Sequence, residues 1–255
     1  MKRLFLATAV LGSLTACGST SSTPGPSWSP TGSATTSNSL VFPTPTSADV
    51  VNFEASVFLI RGATTCGFGI ANTGFLIGRH TIMTNAHAVE GVTQPLVIDG
   101  AKTLPARVIA YDPDKDVAVL SASELNGSPL VFDSTALNGE SVAVLVHPHN
   151  GPLRLQAGRV TSETHLRGPN IYGSGTVLRS VYELAANIQP GDSGGPVVDI
   201  FGHVVGVVFA ASEKHSGVGY ALTTSVVAPF LKYAGAAPNG QQWPTVSSGH
   251  CVPRP

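Results

Sequence analysis

The amino-acid sequence predicts an all-β fold, a sandwich or a barrel, and two observations carry that prediction. From Asp49 onward, short β-like runs recur between turn signals, with no alternating helices of the kind a parallel sheet would need. The chain is also 42% hydrophobic and only 11% charged, with 28 glycines and 19 prolines. Such a composition suits strands and turns, not a helical bundle.

At 255 residues the chain can hold one large domain or two small ones, with enough length to bury a sizeable core. Its formal net charge of −1 leaves no basic footprint for nucleic acid. The first segment is not part of the fold. Lys2 and Arg3 precede an apolar stretch from Leu4 to Leu14, and small residues then lead to Cys17. That layout is a secretory signal, too short to span a bilayer. Leu14 to Cys17, LTAC, further resembles a bacterial lipobox, in which the signal is cut just before a cysteine that receives acyl chains. Residues 1–16 are then a lipoprotein signal peptide, and Cys17 carries a lipid anchor on the extracytoplasmic face of the membrane. The alternative is an ordinary signal cut nearby, with Cys17 incidental.

Residues 17–48 comprise this cysteine and a stretch dominated by Ser, Thr, Pro and Gly, without a charged side chain. They cannot bury a core and read as a disordered tether, holding the domain roughly 30 Å from its anchor. Beyond Cys17, the remaining cysteines are Cys66 and Cys251. In an oxidising compartment such a pair forms a disulfide; the other reading is two buried free thiols.

The strands follow in order. Residues 56–60, 74–78, 96–100, 106–111 and 116–121 are β-like runs, and so are 140–147, 155–162, 175–184, 195–200 and 203–211. The loop 132–139 is the seam between two halves, placed at 49–135 and 136–236. Residues 223–235 form a closing helix with a Thr/Ser cap and Gly235 as its stop, although Pro229 sits late for a first-turn proline. Residues 237–255 are a Pro/Gly/Ser tail.

Within this frame Ser193 stands in Gly191-Asp192-Ser193-Gly194-Gly195-Pro196. Taken as G-x-S-x-G, the motif could be the nucleophile elbow of an α/β-hydrolase. Chain order rejects that reading, because such enzymes place an acid and then a histidine after the serine, and here a β-rich segment follows. Upstream, Thr84-Asn85-Ala86-His87-Ala88-Val89 puts a histidine in a small-residue turn after a short β run. Asp116 opens another β run, Asp116-Val117-Ala118-Val119-Leu120, after a turn built from Asp112, Pro113 and Asp114. Those turn aspartates also qualify as the acid on composition alone. The order His, Asp, Ser is the chymotrypsin order, and the three blocks together resemble the signature blocks of the trypsin-like serine proteases. Residues 50–252 are most similar to the protease domains of mycobacterial membrane-anchored acid-resistance serine proteases, through TNAHAV, GPNIYG (168–173), QPGDSGGPVVD, GVVFAAS (206–212) and HCV (250–252).

The resemblance implies a chymotrypsin-like fold of two packed six-stranded antiparallel β-barrels with a short C-terminal helix. It implies a serine endopeptidase acting through an acyl-enzyme. His87 is then the base, Asp116 its orienting acid and Ser193 the nucleophile. Gly191 and Ser193 supply the N–H donors of the oxyanion hole, and Cys66 and Cys251 match the family's disulfide. Asp192, which digestive relatives pair with a newly cut N-terminus, is expected to find an internal donor here. Asn187, Phe209 and Ala210 are expected at the substrate pocket, where a neutral Asn187 favours apolar or small side chains. No cofactor and no metal is expected; His147 and His149 lack a carboxylate or cysteine nearby and read as a loop. The expected partners are proteins or peptides of the cell envelope, met by a monomer held to the membrane through its lipid. The rival reading is a non-catalytic or latent binding lipoprotein on a protease fold.

Overall fold

The computed structural model describes residues 53–133, 135–238 and 241–252. The signal sequence, Cys17 and the tether lie outside the described residues.

Strands β1 (Val57–Ala63), β2 (Gly69–Gly78), β3 (Thr81–Thr84), β4 (Leu96–Asp99), β5 (Lys102–Pro105), β6 (Arg107–Asp112) and β7 (Val117–Ser121) form one antiparallel sheet in the order β5-β4-β1-β2-β3-β7-β6. Strands β8 (Ser141–Val146), β9 (Arg154–Gly168), β10 (Val177–Ala185), β11 (Pro196–Val198), β12 (Val204–Ala211) and β13 (Val218–Thr223) close into a barrel in the order β10-β13-β12-β11-β8-β9. The second half is the expected six-stranded ring. The first departs from expectation in strand number. It is a curled seven-stranded sheet, because Lys102–Pro105 adds a strand to β4 across the left-handed Gly100 turn (φ 58°). Pro105 has no N–H to offer a further neighbour, which suits its place at the sheet edge.

Strand periodicity explains how the halves meet. Successive side chains of a strand point to opposite faces. In the first half Phe58, Ile60, Leu76, Ile82, Val108 and Leu120 fill the sheet's own core. Their neighbours Val57, Phe75, Met83, Ile109 and Val119 point the other way, into a core shared with Ala143, Leu145, Val181, Val207 and Leu222 of the barrel. Val142, Val144, Tyr182, Leu184 and Val205 fill the barrel interior. Both faces of these strands are therefore buried, which is why they read as nearly unbroken apolar runs. Each such side chain contributes about 1.5–3 kcal/mol on burial.

The closing segment is a short α-helix, α1 (Thr224–Val227), followed by a 3-10 segment, Ala228–Ala234. Pro229 explains the switch. It lies in the first turn of the 3-10 segment, where a missing N–H costs nothing, and it cannot sit inside a continuous α-helix. Among the described residues no helix is long and apolar enough to cross a membrane. Residues 241–252 have no regular structure but are strapped to the first half. Val246 N–H bonds Val108 O at 2.9 Å, Ser248 Oγ bonds Val92 O at 2.8 Å, and Cys251 is disulfide-bonded to Cys66.

Candidate active site

His87 stands in the turn that follows β3. Asp116 sits at the end of the turn leading into β7, in the left-handed region at φ 59°. Aspartate tolerates that conformation better than most residues. There its carboxylate faces the histidine turn. Oδ1 accepts the His87 backbone N–H at 3.0 Å, and Oδ2 meets His87 Nδ1 at 2.8 Å. Asn85 Nδ2 donates to the Asp116 carbonyl at 2.9 Å and fixes the same turn. Burial alone would raise the Asp116 carboxyl, but the facing His87 ring and its hydrogen bonds outweigh it and hold the group below the usual carboxylate value. With a carboxylate at Nδ1, that nitrogen carries the proton and Nε2 is left as an acceptor. The other turn aspartates are otherwise engaged. Asp112 Oδ1 accepts the N–H groups of Asp114 and Lys115, and Asp114 Oδ1 accepts Asn170 Nδ2 at 3.0 Å.

The serine loop runs from β10 to β11, and its backbone bonds alternate. Asp192 N–H bonds Gln189 O, Gly194 N–H bonds Val208 O, and Gly195 N–H bonds Asp192 O. The N–H groups of Gly191 and Ser193 have no partner among the described residues. The direction of the Gly191 N–H has a cause. The Pro190 carbonyl accepts the His149 N–H at 2.8 Å, and in a planar trans peptide the next N–H points the opposite way. The Gly191 N–H is therefore turned away from the 147–151 loop. Gly191 must be glycine twice over, having φ 97° and a carbonyl, His147 O, only 2.7 Å from where a Cβ would stand. The Ser193 hydroxyl makes no hydrogen bond to a described residue.

Thr73, in β2, joins the halves at this point, and sequence reasoning passed it over. Its N–H bonds Ser193 O at 2.9 Å, and its hydroxyl donates to Gly191 O at 2.7 Å. The same hydroxyl accepts the His147 N–H at 2.9 Å, and the Thr73 carbonyl accepts the Thr84 hydroxyl at 2.7 Å. One fully buried threonine thus holds the serine loop, the 147–151 loop and the strand leading to His87. A Cβ at Gly194 would run into Thr73 O and Thr84 Oγ1, so the loop seats on this strand only because residue 194 is glycine.

Asp192 is wholly buried, and its internal donor is a backbone amide: Oδ2 accepts Gln189 N–H at 2.7 Å, while Oδ1 has no partner. Burial pushes its carboxyl up to about 6. Of the expected pocket residues, Asn187 is exposed and Phe209 and Ala210 are half-buried on β12. Beside them lies Ile188, unremarked in the sequence though it is the apolar residue next to Asn187. It is buried, and a Cβ at Gly219 would collide with its side chain. His147 and His149 belong to a turn, where His147 Nδ1 meets Gly151 O at 2.9 Å.

Two packed antiparallel β units, with a His–Asp pair on the first and a Gly-Asp-Ser-Gly loop on the second, define the chymotrypsin-like class of fold. The chain belongs to the trypsin-like peptidase domain family, whose sequence profile matches residues 72–207. It is 40% identical over 202 residues to serine protease Rv3671c of Mycobacterium tuberculosis, across 78% of this chain and 49% of that protein. The chain thus spans about half the length of this curated relative. The crystal structure of the active form of Rv3671c protease superposes with a TM-score of 0.74 at 38% identity, covering 83% of this chain and 94% of that one. The inactive form gives 0.65 at 39% identity, covering 76% and 98%.

Proposed function

We propose that the protein is a serine endopeptidase that cleaves proteins and peptides of the cell envelope through an acyl-enzyme, held by a lipid on Cys17 at the extracytoplasmic face and working as a monomer. The observation that carries the reading is an imidazole oriented by Asp116, together with a serine loop, bonded by Thr73 to the same half, whose Gly191 and Ser193 N–H groups no described residue engages. With Nδ1 committed to Asp116, His87 Nε2 takes the Ser193 proton as the hydroxyl rotates toward it and attacks the scissile carbonyl. The carbonyl oxygen gains charge and is met by the N–H groups of Gly191 and Ser193, which no described residue engages. His87 then returns the proton to the leaving amine, and water repeats the sequence to release the acyl half. Asn187 brings no charge to the pocket, and the buried Ile188 packs against Gly219 beside it, which favours small apolar side chains on the acyl side. Asp192 finds its donor in Gln189, so no cut N-terminus is needed for activity.

The test is covalent labelling by a fluorophosphonate, with Ser193→Ala as control. The wild-type protein is expected to label and the variant not to label. An unlabelled wild-type protein, or a label that persists in the variant, would remove the peptidase reading.

A further inference from the structure

We infer that a pocket beside His87 is the subsite for the residue immediately after the scissile bond, and that it takes a lysine or arginine. This rests on the peptidase reading above. The cavity measures about 230 Å³ and is lined by Phe68, Ile70, His87, Glu90, Cys251 and Val252 among others. All of its lining residues come from the first half and the C-terminal strap; none comes from 187–193 or 208–212, where the acyl side of a substrate would lie. His87 hands its proton to the departing amine, and a cavity against His87 with no wall from the acyl side suits the departing segment.

The chemistry of the walls selects the side chain. Glu90 is only 6% exposed. Its Oε1 accepts the Val252 N–H at 2.6 Å, and Oε2 has no hydrogen bond to a described residue. No lysine or arginine lines the cavity. A buried carboxylate with one neutral partner gains most from an incoming cation. Phe68 belongs to none of the three cores and leaves 50% of its surface exposed at the rim. With Ile70 and Val252 it offers apolar cover for a long stem and a ring face for a cation. A lysine or arginine has both the stem and the charge. Leucine would leave the carboxylate alone, and glutamate would add a second negative charge.

The experiment uses the mature full-length protein and quenched peptides that differ only at the position after a cleavage site mapped by mass spectrometry. Lysine and arginine are expected to exceed glutamate by roughly tenfold or more in kcat/KM, the effect of one partly desolvated charge pair. Glu90→Gln keeps an acceptor for Val252 N–H but removes the charge, and is expected to bring the lysine-to-glutamate ratio to within about twofold. That ratio is taken within one preparation, so partial misfolding cancels. Phe68→Ala is expected to lower kcat/KM for lysine and arginine more than for glutamate. A flat or apolar preference, or a ratio unchanged in Glu90→Gln, would overturn the inference. So would a preference that emerges only after residues 253–255 are removed, since the pocket would then seat this chain's own end. Fluorophosphonate labelling of the same preparation separates the two failures. An unlabelled protein refutes the peptidase reading, whereas a labelled, cleaving protein with no charge preference refutes this subsite alone.

Discussion

Asp116 and Asp192 are both buried carboxylates, yet their surroundings push them in opposite directions. Asp116 faces an imidazole and is held below its ordinary value, so the stability it contributes is present at neutral pH and lost only as pH falls through that lowered value. Asp192 has a single neutral donor and an unpartnered Oδ1, and burial raises its carboxyl to about 6. The folded protein therefore binds this proton more tightly than the unfolded chain does. Stability from Asp192 is full below an unfolded value near 4 and is lost as pH rises through about 6. Replacing it by asparagine, which needs no proton to be neutral, should remove that loss. In chemical denaturation at pH 4 and pH 7, the stability difference between Asp192→Asn and wild type should shift toward the variant by on the order of 2–3 kcal/mol. A difference that does not move between those pH values would show that the Asp192 carboxylate is stabilised by a charge other than those acting on it here.

At the scale of the element, β2 does more than fill the sheet. Its position 73 meets the barrel half where the nucleophile loop folds over it. The hydroxyl there serves Gly191 O and His147 N–H at once. Those two groups belong to the segments that set the direction of the Gly191 amide, so Thr73 is a positioning residue for the oxyanion hole. Thr73→Val keeps the shape and β-branching but leaves both buried groups unpaired, at about 1–3 kcal/mol each. We expect kcat to fall by roughly ten- to a hundredfold with KM nearly unchanged, the signature of lost transition-state stabilisation. Thr73→Ser should restore it, because the hydroxyl returns. If kcat and thermal stability fell together in both variants, Thr73 would be a packing residue only. Nothing in the sequence marks this threonine, since a lone Thr in a strand is ordinary; its partner Gly191 lies 118 residues away.

For the whole molecule, what could be read in advance was local, and what could not was long-range. His87, Asp116 and Ser193 were legible because each sits in a short block whose neighbours are themselves demanding: small residues around His87, a turn before Asp116, and glycines where Thr73 and His147 press against the serine loop. Five of the six barrel strands were legible from their apolar runs; β13 was not, because Val218–Thr223 is interrupted by a glycine and runs straight into the closing helix. The added strand β5 was not, because Lys102–Pro105 is only four residues long, buries Leu104 alone and carries no β-branched pair. Ile188 and Glu90 were silent for the same reason as Thr73, whereas the cysteine pair pointed to the attachment of the strap but not to its hydrogen bonds. Glu90 acquires meaning only from Val252, 162 residues further on. The strap is where this matters most for stability. The Cys66–Cys251 disulfide closes a span of 185 residues, and chain-entropy reasoning credits such a loop with up to roughly 5 kcal/mol. The start of the strap is held by Trp243, which packs against the shared core edge-on to Tyr233, and by Arg107, which bonds Gln242 Oε1. Beyond it the strap makes only scattered bonds, among them Gly91 N–H to Ser248 O and Val252 N–H to Glu90 Oε1, so covalent linkage holds its far end. Reduction, or Cys66→Ser, should therefore lower the Tm by roughly 10 °C. It should also expose residues 246–252 to limited proteolysis well below that transition, while the shared core of Phe75, Met83, Leu145 and Val207 keeps both halves resistant. Cleavage within the barrel strands before any cut in the strap would show instead that the disulfide braces the whole fold.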